Sequence, residues 1–515
     1  MVTDPNHDHS FADAALWFFT LLLTCIAVYG LLWCIDFLGV PNSAPHQLLG
    51  QKGVMDVLAN FGEVALGILG VAVTVVAIIV ELAANRYTPR ITEMFVRDPL
   101  NVTVLGFFLV TAVMVLWVSM SLYGPIYPAN MVRVATGAMT LSLLLLLPYF
   151  GYVFDFLHPT RVVHRITVRC TRAIDRLSRQ GLTGVPQARH ELMNTVEQLG
   201  DIALNSIEKR DKAISITSVD ALSTVLTHHL GKKTTLPLPW YDSEQLVRTD
   251  QDFVAFHPDI IRALTDRRTW VEMKVLRQYQ AVFGASLNRM QDVGHLIAIR
   301  TRQFATLAVA EEDTHAVTQA IRFLNTYIRG SINNRDVRTA YNLMNEYRVF
   351  AEELVRAKQS DLAVEVAEYL KFYGQLAFSA KIPFILESAA YDLCGLLEIA
   401  HQQSAPSHDR LLEVFLDVDR EPLGEATQEA SLRGVRKAQI KLATHYLARG
   451  SQHYAQRIFD DMRDEQPVRL QSILAELQAV KEAEFWEVSD RGINFEYLPP
   501  EQRRELDTFF GWFKQ

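Results

Sequence analysis

Cysteine is scarce in this sequence: Cys25, Cys34, Cys170 and Cys394 are the four in 515 residues. They form no CxxC pair and no Cys/His cluster, so neither a zinc site nor a disulfide framework is expected. Enzyme signatures are missing as well. No P-loop, G-x-G-x-x-G, H-E-x-x-H, G-x-S-x-G or EF-hand pattern occurs. Positive charge is not in excess. The formal net charge is −8, which argues against nucleic acid as a partner. His7 and His9 lie in a polar leader. His228 and His229 end a helical stretch, where imidazoles can meet the last carbonyls. Glu208, Asp211 and Asp220 read as solvated helix charges. No catalytic residue, metal or cofactor is therefore expected, and the chain is not expected to be an enzyme.

Long apolar runs are present, and they are crowded into the first third. Four can span a bilayer, at about 14–40, 58–82, 102–123 and 134–154. The leader before the first run has no lysine or arginine, and the run is too long for a secretory signal, so it is expected to stay as a helix. Basic residues set the orientation. Arg86, Arg90, Arg97, Arg161, Arg165, Arg169 and Arg172 fall on one side, against Lys52 and Arg133 on the other. Both termini are thus expected in the cytoplasm.

The second run carries a stripe of small and acidic residues. Glu63, Gly67, Gly70, Thr74, Ala77 and Glu81 recur at alternating intervals of four and three, which places them on one helix face. The two carboxylates sit eighteen residues apart, about 27 Å along a helix, so they fall near the two membrane surfaces. Two readings follow. Copies of this helix around an axis would make acidic rings at the mouths of a cation path. Alternatively, the small residues let another helix pack closely. Both expect this face to be covered by protein.

After the fourth run, Pro159 starts a basic amphipathic helix. Arg161, Arg165, Arg169, Arg172, Arg176 and Arg179 form its charged face beside Val163, Ile166, Cys170, Ala173 and Leu177. That face suits anionic lipid headgroups, a basic vestibule or paired acidic neighbours. From there on the pattern is helical, with a Pro-rich connection at 234–245. Leu442, Ala443, Tyr446, Gly450, Ala455, Phe459 and Pro467 have the offsets of a tetratricopeptide hairpin, with Gln439 departing from the pattern. Such hairpins offer a surface for proteins or for self-association. A short hairpin is expected around Asp490–Gly492.

The loop with Thr88, Pro89, Arg90, Arg97 and Asp98, followed by Gly106 and Phe107, resembles a bacterial family of predicted integral membrane proteins of unknown function. The stretch 199–226 is similar to that family's cytoplasmic helix–turn–helix, although its turn reads Glu-Lys-Arg-Asp-Lys-Ala. The resemblance spans roughly 10–230. It implies a four-helix membrane domain joined to a cytoplasmic helical domain.

The expected fold is all-α. Residues 1–157 make the transmembrane domain. Residues 158–233 make the basic helix and a first cytoplasmic helical domain, and 246–515 a helical-hairpin domain. The expected function is a homo-oligomeric, channel-like assembly of the bacterial inner membrane with the second span at its axis. The alternative is a membrane-anchored helical scaffold that recruits a protein partner.

Overall fold

The computed structural model describes residues 51–86, 95, 98–121, 129–156, 158–242, 250–419 and 428–514. No strand occurs among them. The first expected span, 14–40, lies outside the described residues. The chain divides into two compact units, residues 1–165 and 166–515, and the division falls inside the basic helix.

Among the described residues of the first unit three helices are long and apolar enough to cross a bilayer. They are α1 (Gln51–Arg86), α2 (Pro99–Ser121) and α3 (Ala129–Phe156), which keeps its helix through Pro148. The apolar stretches are Gly62–Glu81, Pro99–Met120 and Val134–Phe156. Ile68, Ala112 and Met139, one from each helix, meet in a buried cluster flanked by Leu69 and Leu146. The helix α4 (Pro159–Gln180) follows. Its apolar face is buried at Val162, Val163, Ile166, Cys170, Ile174 and Leu177, while Arg169, Arg172, Arg176 and Arg179 are exposed.

The second unit is a two-layer stack of helices. After α4 come α5 (Val185–Glu208), α6 (Lys212–Lys232), α7 (Pro258–Asp266), α8 (Trp270–Ser286), α9 (Gln291–Ala310), α10 (Thr314–Asn333), α11 (Val337–Arg356), α12 (Ser360–Ser379), α13 (Pro383–Gln402) and α14 (His408–Leu416). The series continues with α15 (Gln428–Ala448), α16 (Gln452–Met462) and α17 (Pro467–Ala479), and ends on the short α18 (Pro500–Arg504) and α19 (Leu506–Gly511). From α8 to α14 each helix packs on its sequence neighbour and on the next but one, while α5 and α6 reach past the short α7 to α8 and α9. One layer is therefore α6, α9, α11, α13 and α15, and the other is α5, α8, α10, α12 and α14. Stacking of this kind buries a continuous core through nearest-neighbour contacts. The Pro-rich connection belongs to this unit, where Trp240 and Tyr241 are buried.

A local rule generates the stack. Helices α9 to α13 are each 20 residues long. After each of them a single residue takes a left-handed conformation: Glu312, Arg335, Lys358, Lys381 and Ser404, with φ between 49° and 62°. From Glu312 onward these residues recur every 23 positions, and Gly450 stands two such steps beyond Ser404. Each turn satisfies the last carbonyls in the same way. At Lys358, for example, its own amide donates to the Val355 carbonyl (3.0 Å) and the next amide, of Gln359, donates to the Leu354 carbonyl (2.9 Å). This is a Schellman ending, and the residue after it begins the next helix. At two of these turns an aspartate caps the next helix: Asp313 caps α10 and Asp336 caps α11, accepting from Ala316 and Thr339 amides at 3.0 and 3.1 Å. The hairpin read from Leu442 to Pro467 is present as α15–α16. The spacing around it is 23 residues per helix, hence 46 per pair, unlike the 34 of a tetratricopeptide array.

Side chains with a Cβ are strained in the left-handed region, and glycine is not. Lys358 is exposed and sits there at φ 59°. Lys358→Gly is expected to stabilise the second unit by about 0.5–1 kcal/mol. A rise in the urea midpoint at unchanged slope checks this.

Candidate functional site

Helix α1 shows two unlike faces. Ile68, Ala72 and Val76, four residues apart, are buried. Glu63, Gly67, Gly70, Thr74, Ala77 and Glu81 are all exposed. A methyl group added at Gly67 or Gly70 would meet nothing within 4 Å. The glycines are therefore not needed for the packing of α1 on α2 and α3, whose seam runs along the other side. Among the described residues no other helix covers the stripe.

One end of the bundle is held by a polar cluster. Asp98 caps α2, accepting from the Leu100 and Asn101 amides at 3.0 and 3.3 Å. The Tyr152 hydroxyl of α3 donates to the same Asp98 oxygen. Beside it the Tyr149 hydroxyl donates to Asn101 Oδ1 at 2.5 Å, and Asn101 Nδ2 donates to the Phe95 carbonyl at 3.2 Å. Phe95 meets Phe156 edge-on at 5.2 Å. Of the loop residues singled out in the sequence, Asp98 is thus a capping and bracing group. Thr88, Pro89, Arg90 and Arg97 lie outside the described residues.

The basic stripe of α4 splits in two. Arg161 pairs with Asp155, and the Arg165 guanidinium lies 4.0 Å over the Phe156 ring, so both serve the helix junction. Further along, Arg169 pairs with Glu191 at 2.5 Å. Arg172, Arg176 and Arg179 stay exposed and form no ion pair among the described residues. Arg176, Gln187 and Glu191 are the polar and charged residues lining a cleft of about 290 Å³, with Ala173, Leu177, Gly184 and Ala188 as its remaining walls.

His229 lies in the last turn of α6 and faces inward. It is buried, and its Nε2 accepts from Trp240 Nε1 at 3.2 Å. His228 faces Asp175 at 3.0 Å. Asp211 and Asp220 are not merely solvated either. Asp211 caps α6 through the Ile214 amide at 3.2 Å, and Asp220 pairs with Arg300 at 2.8 Å. Cys170 and Cys394 are buried free thiols, and burial pushes the Cys170 thiol up to about 12. Cys25 and Cys34 lie outside the described residues.

The tail departs most from its reading. No strand hairpin forms around Asp490. Residues 480–499 run without helix or strand, with a turn at Ser489–Gly492. This strap lies on α11, α13 and α15, all of one layer. Asp490 is held by Arg338 (2.7 and 2.9 Å) and Asn342 (2.7 Å) of α11. Arg491 donates to Asp392 of α13 at 2.7 Å and to the Tyr341 carbonyl, with its guanidinium 3.9 Å over the Tyr341 ring. Phe495 stacks on Tyr391 at 5.0 Å, its carbonyl accepts from Lys441 at 3.0 Å, and Glu496 pairs with Lys437 of α15 at 2.5 Å. The Asp-Arg-Gly turn was the sequence signal for this element, but its partners lie about 100–150 residues away.

These features define a polytopic helical membrane protein whose second unit is a helical solenoid. Residues 13–231 match the model of a family described as "Predicted membrane protein (DUF2254)", of unknown function. No curated protein and no solved structure matches the chain.

Proposed function

We propose that this chain builds a homo-oligomeric, channel-like assembly of the bacterial inner membrane, with α1 around the axis and both termini in the cytoplasm. The supporting observation is the exposed Gly67–Gly70–Thr74–Ala77 stripe, opposite the face that α1 buries in its own bundle. Small residues let backbones approach across a membrane interface. Glu63 and Glu81 would then ring the two mouths and favour cations. The solenoid serves as the cytoplasmic assembly domain, and Arg172, Arg176 and Arg179 meet anionic headgroups or line the approach. The reading includes no catalytic step.

The test is the mass of the particle in lipid nanodiscs. Wild type is expected at a multiple of the 58.4 kDa chain. Gly67→Leu with Gly70→Leu is expected to weaken association about 5- to 30-fold, from ~1–2 kcal/mol of lost helix packing, while Val71→Leu leaves it unchanged. Glu63→Gln and Glu81→Gln are expected to reduce cation current in planar bilayers. A wild-type particle of one-chain mass overturns the assembly. The solenoid also suits a second reading, a membrane-anchored scaffold, which a multimer without conductance would favour.

A further inference from the structure

We infer that the layer formed by α11, α13 and α15 is a peptide-recognition face, filled in cis by the strap. It fits an extended peptide with an Asp-Arg pair and an aromatic residue four positions after the arginine. The inference is independent of the role given to α1.

Three observations carry it. First, the strap is recognised through side chains, in the manner of a bound peptide. It contributes no helix to the stack, and its anchors step across the layer: Asp490 on α11, Arg491 between α11 and α13, Phe495 against both, and Glu496 on α15. Solenoid faces bind extended chains in this way. Second, the places are built for their guests. Asp392 and the Arg491 side chain are 2% and 4% exposed, so a guanidinium is enclosed between a carboxylate and the Tyr341 ring. Tyr391 offers a parallel ring to Phe495, with an interplanar angle of 9°. Asp490 is taken at the rim, where Arg338 is half exposed. Third, the strap is an incomplete part of the fold. Trp486 and Val488, just before its anchors, are 80% and 107% exposed, and Ile493 is exposed between them. A segment that belonged only to the core would bury such residues. A peptide of the same chemistry arriving in trans must displace the strap, so the strap sets a threshold for its binding.

The experiment uses the full chain in detergent and a fluorescent peptide of residues 486–498. Arg491→Ala loosens the strap but leaves its pocket intact. The peptide is expected to bind this variant at least tenfold tighter than it binds wild type. It is expected to lose binding when the peptide itself carries Arg491→Ala, or when the receiving chain carries Asp392→Asn as well. A scrambled peptide is expected not to bind. Phe495→Ala serves as a second strap-loosened chain, should Arg491→Ala lose helicity. The inference is overturned if a strap-loosened chain of wild-type helicity binds no peptide, binds the scrambled one equally, or binds no better than wild type.

Discussion

Lys274→Met is expected to destabilise the second unit by about 3–5 kcal/mol, the cost of breaking a buried ion cluster from one side. Lys274 lies on α8 with a fully buried side chain. Its ammonium meets Asp250 at 2.6 and 2.8 Å, Asp252 at 2.6 Å and Glu197 at 3.1 Å. Three carboxylates thus share one cation, and all three are mostly buried. Burial already pushes Asp250 upward, with Lys274 and the Asp252 amide opposing and the Asp252 carboxylate adding a little. Methionine fills much the same volume, so the loss is electrostatic rather than a cavity. The urea midpoint should fall, read by fluorescence from buried Trp240 and Trp270. Adding Asp250→Asn to Lys274→Met should restore part of the loss. A change below 1 kcal/mol would show that water reaches these carboxylates.

The second large effect is acid sensitivity centred on a histidine cluster. His401 ends α13, His408 starts α14 and His445 lies near the end of α15. His401 Nδ1 is 3.3 Å from His445 Nε2, and His408 Nε2 is 2.8 Å from the Tyr446 hydroxyl. Burial lowers both His408 and His445 to about 4, with His401 adding to each. Arg449 and His453 oppose protonation nearby, Asp409 favours it at His408, and Glu398 approaches His445 at 4.0 Å. The folded-state values are depressed below the unfolded 6.5, so their neutral forms stabilise the fold above about pH 6.5. That stability is lost as pH falls toward 4. From 1.4 kcal/mol per pH unit, each histidine removes about 2 kcal/mol between pH 7 and pH 5. Urea unfolding at the two pH values should show the drop. His408→Gln with His445→Gln should flatten it, and a wild-type stability equal at pH 7 and 5 would refute the account.

What could be read from the sequence follows the range of the interactions. The spans were legible because about twenty apolar residues in a row have few other uses, and α1 to α3 lie where the runs place them. The stripe from Glu63 to Glu81 was legible as one face, since helical periodicity alone sets it. Which side of α1 packs was not, because Ile68, Ala72 and Val76 are as ordinary as Val71 and Val73. The solenoid's period escaped because its turns use Glu312, Arg335 and Lys358 where glycine would have marked them. The strap's partners escaped because Asp490 and Arg338 are 152 residues apart, and nothing local specifies such a pair.

The uniform turns have a consequence for how this chain can change in evolution. A three-residue reversal makes successive helices run in opposite directions. Loss or gain of one helix would therefore flip everything downstream, while loss or gain of a pair would splice cleanly onto an equivalent neighbour. The length of the solenoid is in effect quantised in steps of 46 residues. Duplication of a whole pair between Asp313 and Lys358 would lengthen the platform without altering the register of the turns on either side.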